Sequence, residues 1–332
     1  MKETLYQLVS FAMEKQATDI HFHYRHNTLK IMIRGKQGME DVHSAAFNVK
    51  LFHYLKYIAD LDLGNSDCPQ SGSFSFEWKQ QTLFFRFSLI TSYDTQTGVL
   101  RILNNHHKIA LRQLSHDPKQ TAIFQGWCKQ TSGMVILSGP TGSGKTTTLY
   151  ALLSEIANIG KHKIMTLEDP IEVHDDRFVQ LAVNEAAGFT YEEGIRQFMR
   201  HDPDVIMIGE IRDVYSARMA YRCALSGHLV FSCIHAKNAA EALKRLNELG
   251  ISNQNLKDTL SAVCSQRLYP HRQKGKERIC IYEILQGTQL QAALSNKQPH
   301  SHEDIYAKIK QALQAQLISE EAASGDLYLE AL

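Results

Sequence analysis

The stretch Gly139-Pro140-Thr141-Gly142-Ser143-Gly144-Lys145-Thr146-Thr147 decides how this chain is read. Its first eight residues fit the phosphate-loop pattern G-x-x-x-x-G-K-[ST] without a mismatch. The spacing has a chemical reason. Gly139, Gly142 and Gly144 let the backbone bend tightly, so that successive N–H groups turn inward around a phosphate. Lys145 reaches the β/γ oxygens as a point charge, and the Thr146 hydroxyl is placed to ligate Mg²⁺. Met134-Val-Ile-Leu137 before the loop is an apolar run of strand length. Thr147-Thr-Leu-Tyr-Ala-Leu-Leu153 after it reads as a helix whose N-terminus faces the anion. The bland alternative is a Gly-rich turn with an accidental Lys-Thr pair; pattern and flanks together favour a nucleoside triphosphate site.

From Met134 onward, short apolar strands alternate with helices. Strands are expected at 134–138, 163–167, 178–182, 204–209 and 228–234, the α/β signature of a largely parallel sheet. Asp117-Pro118 opens a helix through Trp127, and 240–248 and 254–262 read as helical. The region before this has a different character. Residues 3–16 form an amphipathic helix, marked by Leu5, Leu8, Val9, Ala12 and Met13. Ile20, Phe22 and Tyr24 then alternate, as do Leu29, Ile31 and Ile33, which predicts a β-hairpin ending at Arg34-Gly35. Residues 45–62 are helical. Phe74, Phe76, Leu83, Phe85 and Phe87 resume a period of two, and Gly98-Val-Leu-Arg-Ile-Leu103 is one more strand. The expected organisation is a small α+β domain at 1–104 with an antiparallel sheet, a linker at 105–118, a nucleotide domain at 119–288 and a polar helical segment at 289–332. Polar Asn104-Asn-His-His-Lys108 opens the linker.

The composition is that of an ordinary globular protein, 43% hydrophobic and 21% charged over 332 residues. A net charge of +1 provides no global basic field for nucleic acid or an acidic membrane surface. None of the six cysteines forms a C-x-x-C pair, so neither a zinc ribbon nor a redox dithiol is signalled. Their scatter through apolar segments predicts reduced, buried thiols in a cytosolic protein. Met1-Lys-Glu-Thr-Leu-Tyr-Gln lacks the apolar core of a signal peptide, and no run approaches the roughly 18 apolar residues of a membrane span. Membrane association is expected only through a partner.

Three further segments carry candidate chemistry. In His201-Asp-Pro-Asp-Val-Ile-Met-Ile-Gly-Glu210-Ile-Arg-Asp213, an apolar strand ends in a carboxylate 65 residues past Lys145. Ligands of parallel sheets sit at the carboxyl ends of strands, so Glu210 is placed to orient and deprotonate an attacking water. The other reading is a helix-capping or solvated acid. In Ile164-Met-Thr-Leu-Glu168-Asp169-Pro170-Ile-Glu172, a second strand ends in acids. Glu168 could support Mg²⁺ or a water bound to it, or the Asp-Pro pair could be merely a turn. In Ser226-Gly-His228-Leu-Val-Phe-Ser-Cys-Ile-His235, two histidines flank a strand. His235 is a candidate γ-phosphate sensor, against the commoner reading of a satisfied structural histidine.

In this order the motifs resemble the secretion ATPase superfamily of type II secretion and type IV pili. The resemblance covers about residues 17–290 and is most specific from 133 to 250. It implies a RecA-like phosphate-loop ATPase domain with a parallel-rich sheet, preceded by a small α+β domain of PAS-like type. It also implies a homo-hexameric ring with ATP bound between the two domains. Matching motifs make Lys145 and Thr146 the phosphate and Mg²⁺ residues, Glu210 the catalytic glutamate and Glu168 a second active-site acid that shares the metal. His228 and His235 take the roles of the histidine box. Leu83-Phe-Phe-Arg86-Phe-Ser and Gly98-Val-Leu-Arg101-Ile-Leu resemble the strands that carry nucleotide-facing arginines. Arg86 and Arg101 are thus candidates for stabilising the transferred phosphoryl group; the residues alone read as exposed strand arginines.

Some segments depart from the family pattern. Cys233-Ile-His235-Ala-Lys-Asn238 stands where Thr-Leu-His-Thr-Asn is usual. The region from Gln266 to Glu283 keeps the flanks of a four-cysteine zinc loop without the cysteines, so no structural zinc is expected. Neither the second N-terminal domain of larger members nor the Ala-Ile-Arg-Asn segment of retraction ATPases is visible. The chain looks most like the competence pilus assembly ATPase of Gram-positive bacteria. That resemblance implies a cytoplasmic Mg²⁺-dependent ATPase held at the membrane by a polytopic inner-membrane platform protein. It would act on pilins indirectly and touch no nucleic acid. A retraction motor, a type II or IV secretion ATPase, a nucleic-acid translocase and a non-hydrolysing scaffold are the rival readings.

Overall fold

The computed structural model describes residues 1–332 except 36–37, 65–67, 104–108, 161, 185–187, 274–276, 298 and 332. The chain divides into two compact units, Met1–His107 and Lys108–Leu332. Asn104 to Lys108, read as the opening of the linker, lie outside the described residues. Of the rest of that expected linker, Leu111 and Leu114 are buried in the core of the second unit.

The first unit wraps one antiparallel sheet. Helix α1 (Lys2–Glu14) is followed by β1 (Asp19–Arg25), β2 (Thr28–Gly35) and β3 (Gly38–Val42). Helix α2 (Val49–Ile58), β4 (Gln70–Trp78), β5 (Gln81–Ser92) and β6 (Thr95–Ile102) complete it. The spatial order is β3-β2-β1-β6-β5-β4. The β1–β2 hairpin is tighter than the sequence suggests: Arg25 pairs with Thr28, leaving His26 and Asn27 as the turn. Both have positive φ, 46° and 60°, which the two-residue hairpin turn with the correct twist requires. Strand alternation places Ile20, Phe22, Ile31, Ile33, Phe85, Phe87 and Leu100 in one core beneath α1 and α2. Strand β3 carries a single buried side chain, Val42, and its alternation is too weak to read from sequence.

The second unit is a seven-stranded sheet. Helix α3 (Pro118–Trp127) starts at Asp117, whose side chain accepts the Lys119 N–H, with Pro118 in the first turn. Then come β7 (Gly133–Ser138), α4 (Lys145–Ile159), β8 (Ile164–Glu168), β9 (Val179–Ala182), α5 (Tyr191–Phe198) and β10 (Val205–Ile208). Helix α6 (Val214–Leu225), β11 (Leu229–Ile234), α7 (Ala239–Glu248) and α8 (Asn253–Thr259) follow. The chain closes with β12 (Leu260–Pro270), β13 (Arg278–Gln286), α9 (Gly287–Leu294), α10 (Ile305–Gln314) and α11 (Glu320–Ala331). The order is β13-β12-β7-β11-β10-β8-β9, parallel from β12 to β9 with β13 antiparallel at one edge. Strands β8, β10 and β11 are buried at every position, as both-face coverage demands. Alternate residues divide between two cores. Ile136, Leu167, Ile208 and Val230 face α5 to α7. Leu137, Met207, Phe231 and Cys233 face α3 and α4.

Two expectations need correction. The helix expected over 254–262 ends at Thr259, and β12 begins at Leu260. Its run Leu-Ser-Ala-Val-Cys-Ser-Gln-Arg-Leu-Tyr-Pro mixes apolar and polar residues without a clean period, because both of its faces are covered. The segment 289–332 is not merely a polar tail. Ile305, Tyr306, Ile309, Ala312, Ile318 and Ala323 form a third core of this unit against Tyr269, Ile279 and Ile281. Replacing Ile309, which is fully buried, with Ala should therefore destabilise the second unit by about 2–5 kcal/mol, read as a lower urea midpoint. An unshifted midpoint would mean that this segment does not contribute to the core.

Candidate active site

The phosphate loop lies between β7 and α4. Gly139, Gly142 and Gly144 have φ of 144°, 80° and 88°, values that side-chain-bearing residues rarely adopt. A Cβ on Gly139 would also stand 2.6 Å from the Gln266 carbonyl oxygen and 2.7 Å from Ser143 Oγ. Gly144 is the N-cap of α4 and offers no side chain to its free N–H groups. Lys145 Nζ curls over the loop, donating to the carbonyls of Gly139 (2.8 Å) and Pro140 (3.0 Å). Pro140 and Thr141 are exposed, while Thr146 and Thr147 are half-buried in the first turn of α4. Burial pulls the Lys145 ammonium below the usual range, opposed by Cys233 and by the carboxylates of Glu210 and Glu172.

This donor set fits a polyphosphate. A helix N-terminus without a capping side chain, turned glycines and a half-buried cation converge on one loop. Two buried polar atoms beside it, Ser143 Oγ and Gln266 Oε1, have no partner among the described residues.

Glu210 stands just past β10. The Ile211 N–H donates to the Cys233 carbonyl at 2.8 Å, which lays this segment across the end of β11. Glu210 thereby meets His235, whose Nε2 donates to Oε1 at 2.8 Å. Arg212 Nε donates to Oε2 at 2.8 Å and reaches Asp169 with Nη1 at 3.3 Å. The acid that caps α6 is Asp213, accepting the Ser216 N–H at 2.8 Å. Glu210 is not the capping residue, and each of its oxygens is held by an N–H donor, Oε1 by His235 and Oε2 by Arg212.

Glu168 is placed differently. It shares the α4 face of β8 with Thr166 and is almost fully buried. Tyr150 Oη, from α4, donates to its two oxygens at 2.7 and 2.8 Å, and Thr166 Oγ1 donates at 2.7 Å. Burial pushes its carboxyl up to about 7, against the lowering effect of these hydrogen bonds. The Glu168 oxygens are turned into the protein, toward Tyr150 and Thr166. Among the described residues, no group of three His, Cys, Asp or Glu could hold a metal.

His228 is not brought to the loop. It precedes β11 and lies level with the start of β7, where its carbonyl accepts the Gly133 N–H. His235 lies beyond the far end of the same strand, about 23 Å away at 3.3 Å per residue. The His228 ring is paired with the Cys223 carbonyl at 3.0 Å. Arg86 and Arg101 belong to the first unit, directly opposite one another on β5 and β6. Arg101 Nε donates to the buried Asp19 at 2.8 Å, and Arg86 Nε donates to Ser71 Oγ at 3.0 Å. The sequence reading missed Tyr150, Gln266, Arg212 and the pull of Glu172 on Lys145; of these, the parity of Thr166 and Glu168 along one strand was the readable signal for a partner on α4.

Residues 1–325 match the family described as type II/IV secretion system protein. The chain belongs to that family. It is 33% identical to the competence protein ComGA of Bacillus subtilis over 309 residues, 89% of this chain and 84% of that protein. It is 34% identical over 266 residues to the type IV pilus assembly ATPase PilB of Acinetobacter baylyi, covering 79% of this chain but 46% of PilB. The chain thus spans about half the length of that relative. The crystal structure of the pilus retraction motor PilT with bound ADP aligns with a TM-score of 0.73 at 24% identity, over 97% of this chain and 96% of PilT. Among the described residues, no helix of this secretion ATPase family member is long and apolar enough to cross a membrane.

The Glu168 carboxyl predicts a pH signature. Its folded pKa lies above the ordinary 4.5, so the folded chain binds this proton more tightly than the unfolded chain. That stabilisation is present below pH 4.5 and is lost as pH rises toward 7. Glu168→Gln should remove this dependence, by at most about 1.4 kcal/mol per pH unit. Melting of both proteins between pH 4.5 and 7.5 checks it, and parallel curves would refute the raised carboxyl.

Proposed function

We propose that this protein is a Mg²⁺-dependent ATPase that, as a homo-hexamer, powers assembly of a competence pilus for DNA uptake. The observation that carries the hydrolytic reading is the electrostatic interaction of Lys145 with Glu210, whose carboxylate is held by His235 and Arg212. The loop N–H groups and Lys145 would bind and orient the triphosphate. Mg²⁺ would be held by Thr146, with Glu210 on its water shell, and would neutralise charge on the β- and γ-phosphates. Glu210 would accept the proton of the attacking water, and the His235 and Arg212 contacts would hold its carboxylate in position. Arg86 and Arg101 are the proposed charge-stabilising arginines. The first unit is proposed to be PAS-like and the second RecA-like.

The load is proposed to be a polytopic inner-membrane platform protein, through which pilins are added without direct contact between this motor and DNA. The likeness to ComGA supports this cargo. The near-neutral charge agrees with it, since a DNA-tracking motor more often carries a basic channel. The protein would then act in the cytoplasm, at the inner face of the membrane.

Glu210→Gln should bind ATP yet release phosphate at least about 100-fold more slowly, the usual contribution of a general base. Lys145→Ala should lose nucleotide binding itself. In host cells carrying Glu210→Gln, surface pili and DNA uptake should both disappear. Abundant pili without uptake would identify a retraction motor, and secretion failure with normal uptake a type II secretion ATPase. Normal phosphate release by the variant would remove Glu210 from the mechanism.

A further inference from the structure

The turn that carries His235 is gripped by two charged side chains from strands that do not pair with β11. Arg267 on β12 donates from Nη2 to the Lys237 carbonyl at 2.8 Å. Glu283 on β13 accepts the Ala239 N–H, the first of α7, at 3.0 Å. Both are buried, with side chains 5% and 1% exposed, so neither charge is supported by solvent. Each is matched from the C-terminal segment. Asp326 on α11 accepts from Arg267 Nε at 2.6 Å and from Tyr269 Oη at 2.6 Å. His302, before α10, donates from Nε2 to Glu283 at 2.9 Å.

Arg267 has a second hold on the site. Its Nη1 donates at 3.1 Å to the Gln266 carbonyl, the group against which Gly139 packs. The Gln266 side chain points the other way and donates from Nε2 to the Ser143 carbonyl in the phosphate loop, at 2.7 Å. Strand alternation explains the division: consecutive residues of β12 serve opposite faces.

We infer that the C-terminal segment is the positioning element of the active site: Asp326 through Arg267, and His302 through Glu283, hold the His235 turn so that His235 meets Glu210. Arg267, Glu283, Asp326 and His302 are positioning residues on this account, and the catalytic part of the inference rests on the ATPase reading. The physical reason is that a buried charge stripped of its partner must move, protonate or draw in water. Each of these pulls on Lys237 or Ala239, two and four residues from His235. The neighbouring core of Ile305, Ile309 and Ile318 keeps the segment docked.

The test is hydrogen exchange at the 235–239 amides, together with a double-mutant cycle between Asp326→Asn and His235→Ala. Asp326→Asn should speed exchange in the turn by about tenfold while the β7 amides stay protected. It should lower kcat about fivefold with the KM for ATP within about twofold, and cost less than about twofold more on the His235→Ala background, because both act through one contact. Asp326→Glu should restore both readings. Unchanged exchange in the turn, or losses that multiply across the cycle, would overturn the inference. If Asp326→Asn loosens β7 as well, His302→Gln carries the same expectations and the same refutation. Absence of phosphate release by the unaltered chain would refute the ATPase reading alone, and the exchange result would still decide the relay.

Discussion

The central strands of the parallel sheet are covered on both faces and carry no charged side chain before their last residue, and this constraint arranges the second unit. Strands β8, β10 and β11 have no exposed position. Within the second unit, the ionisable groups of the proposed chemistry therefore follow the carboxyl ends of the strands. The phosphate loop follows β7, Glu210 follows β10 and His235 follows β11. Crowding follows directly. Carboxylates and cations that reach the same edge find each other, and the chain Asp169–Arg212–Glu210–His235 is the result. In such a cluster the geometry of one acid depends on all its neighbours.

Glu168 and Glu210 show how a small difference in placement separates two acids of the same local type. Both end an apolar strand. Glu168 is the last residue of β8 and keeps its alternation, so its side chain goes under α4 to Tyr150 and its carboxyl is pushed up by burial. Glu210 is two residues beyond β10, after Gly209, whose N–H still pairs with the Leu167 carbonyl. There the backbone turns, and the side chain emerges among polar partners instead of entering the core. Position along the strand thus decides which carboxylate is a buried proton-holding group and which meets His235 and Arg212.

The C-terminal segment obeys the same electrostatic logic. Buried Arg267 and Glu283 are tolerable because each has a counter-group and further hydrogen bonds. Those counter-groups come from residues distant in sequence, held in place by an apolar core of their own. Stability and site geometry are consequently tied together in this part of the molecule.

The sequence by itself determined the elements whose signals are local. The phosphate loop was legible because its glycines, Lys145 and Thr146 stand at a fixed spacing, and glycine adopts positive φ at no steric cost. The β1–β2 hairpin, the Asp117-capped helix and the buried strands were legible because period and capping act within a few residues. Glu210 was legible as a strand-end acid. The tertiary structure alone decided its contacts with His235 and Arg212, the burial of Glu168 beneath Tyr150, and the separation of His228 from the site. It also decided the strand β12, whose doubly covered faces erase any periodic signal, and the grip of Arg267 and Glu283 on the His235 turn. Those features depend on which strands become neighbours and on which side of each strand a residue falls. That choice is made by the packing of the whole sheet, which no local stretch encodes.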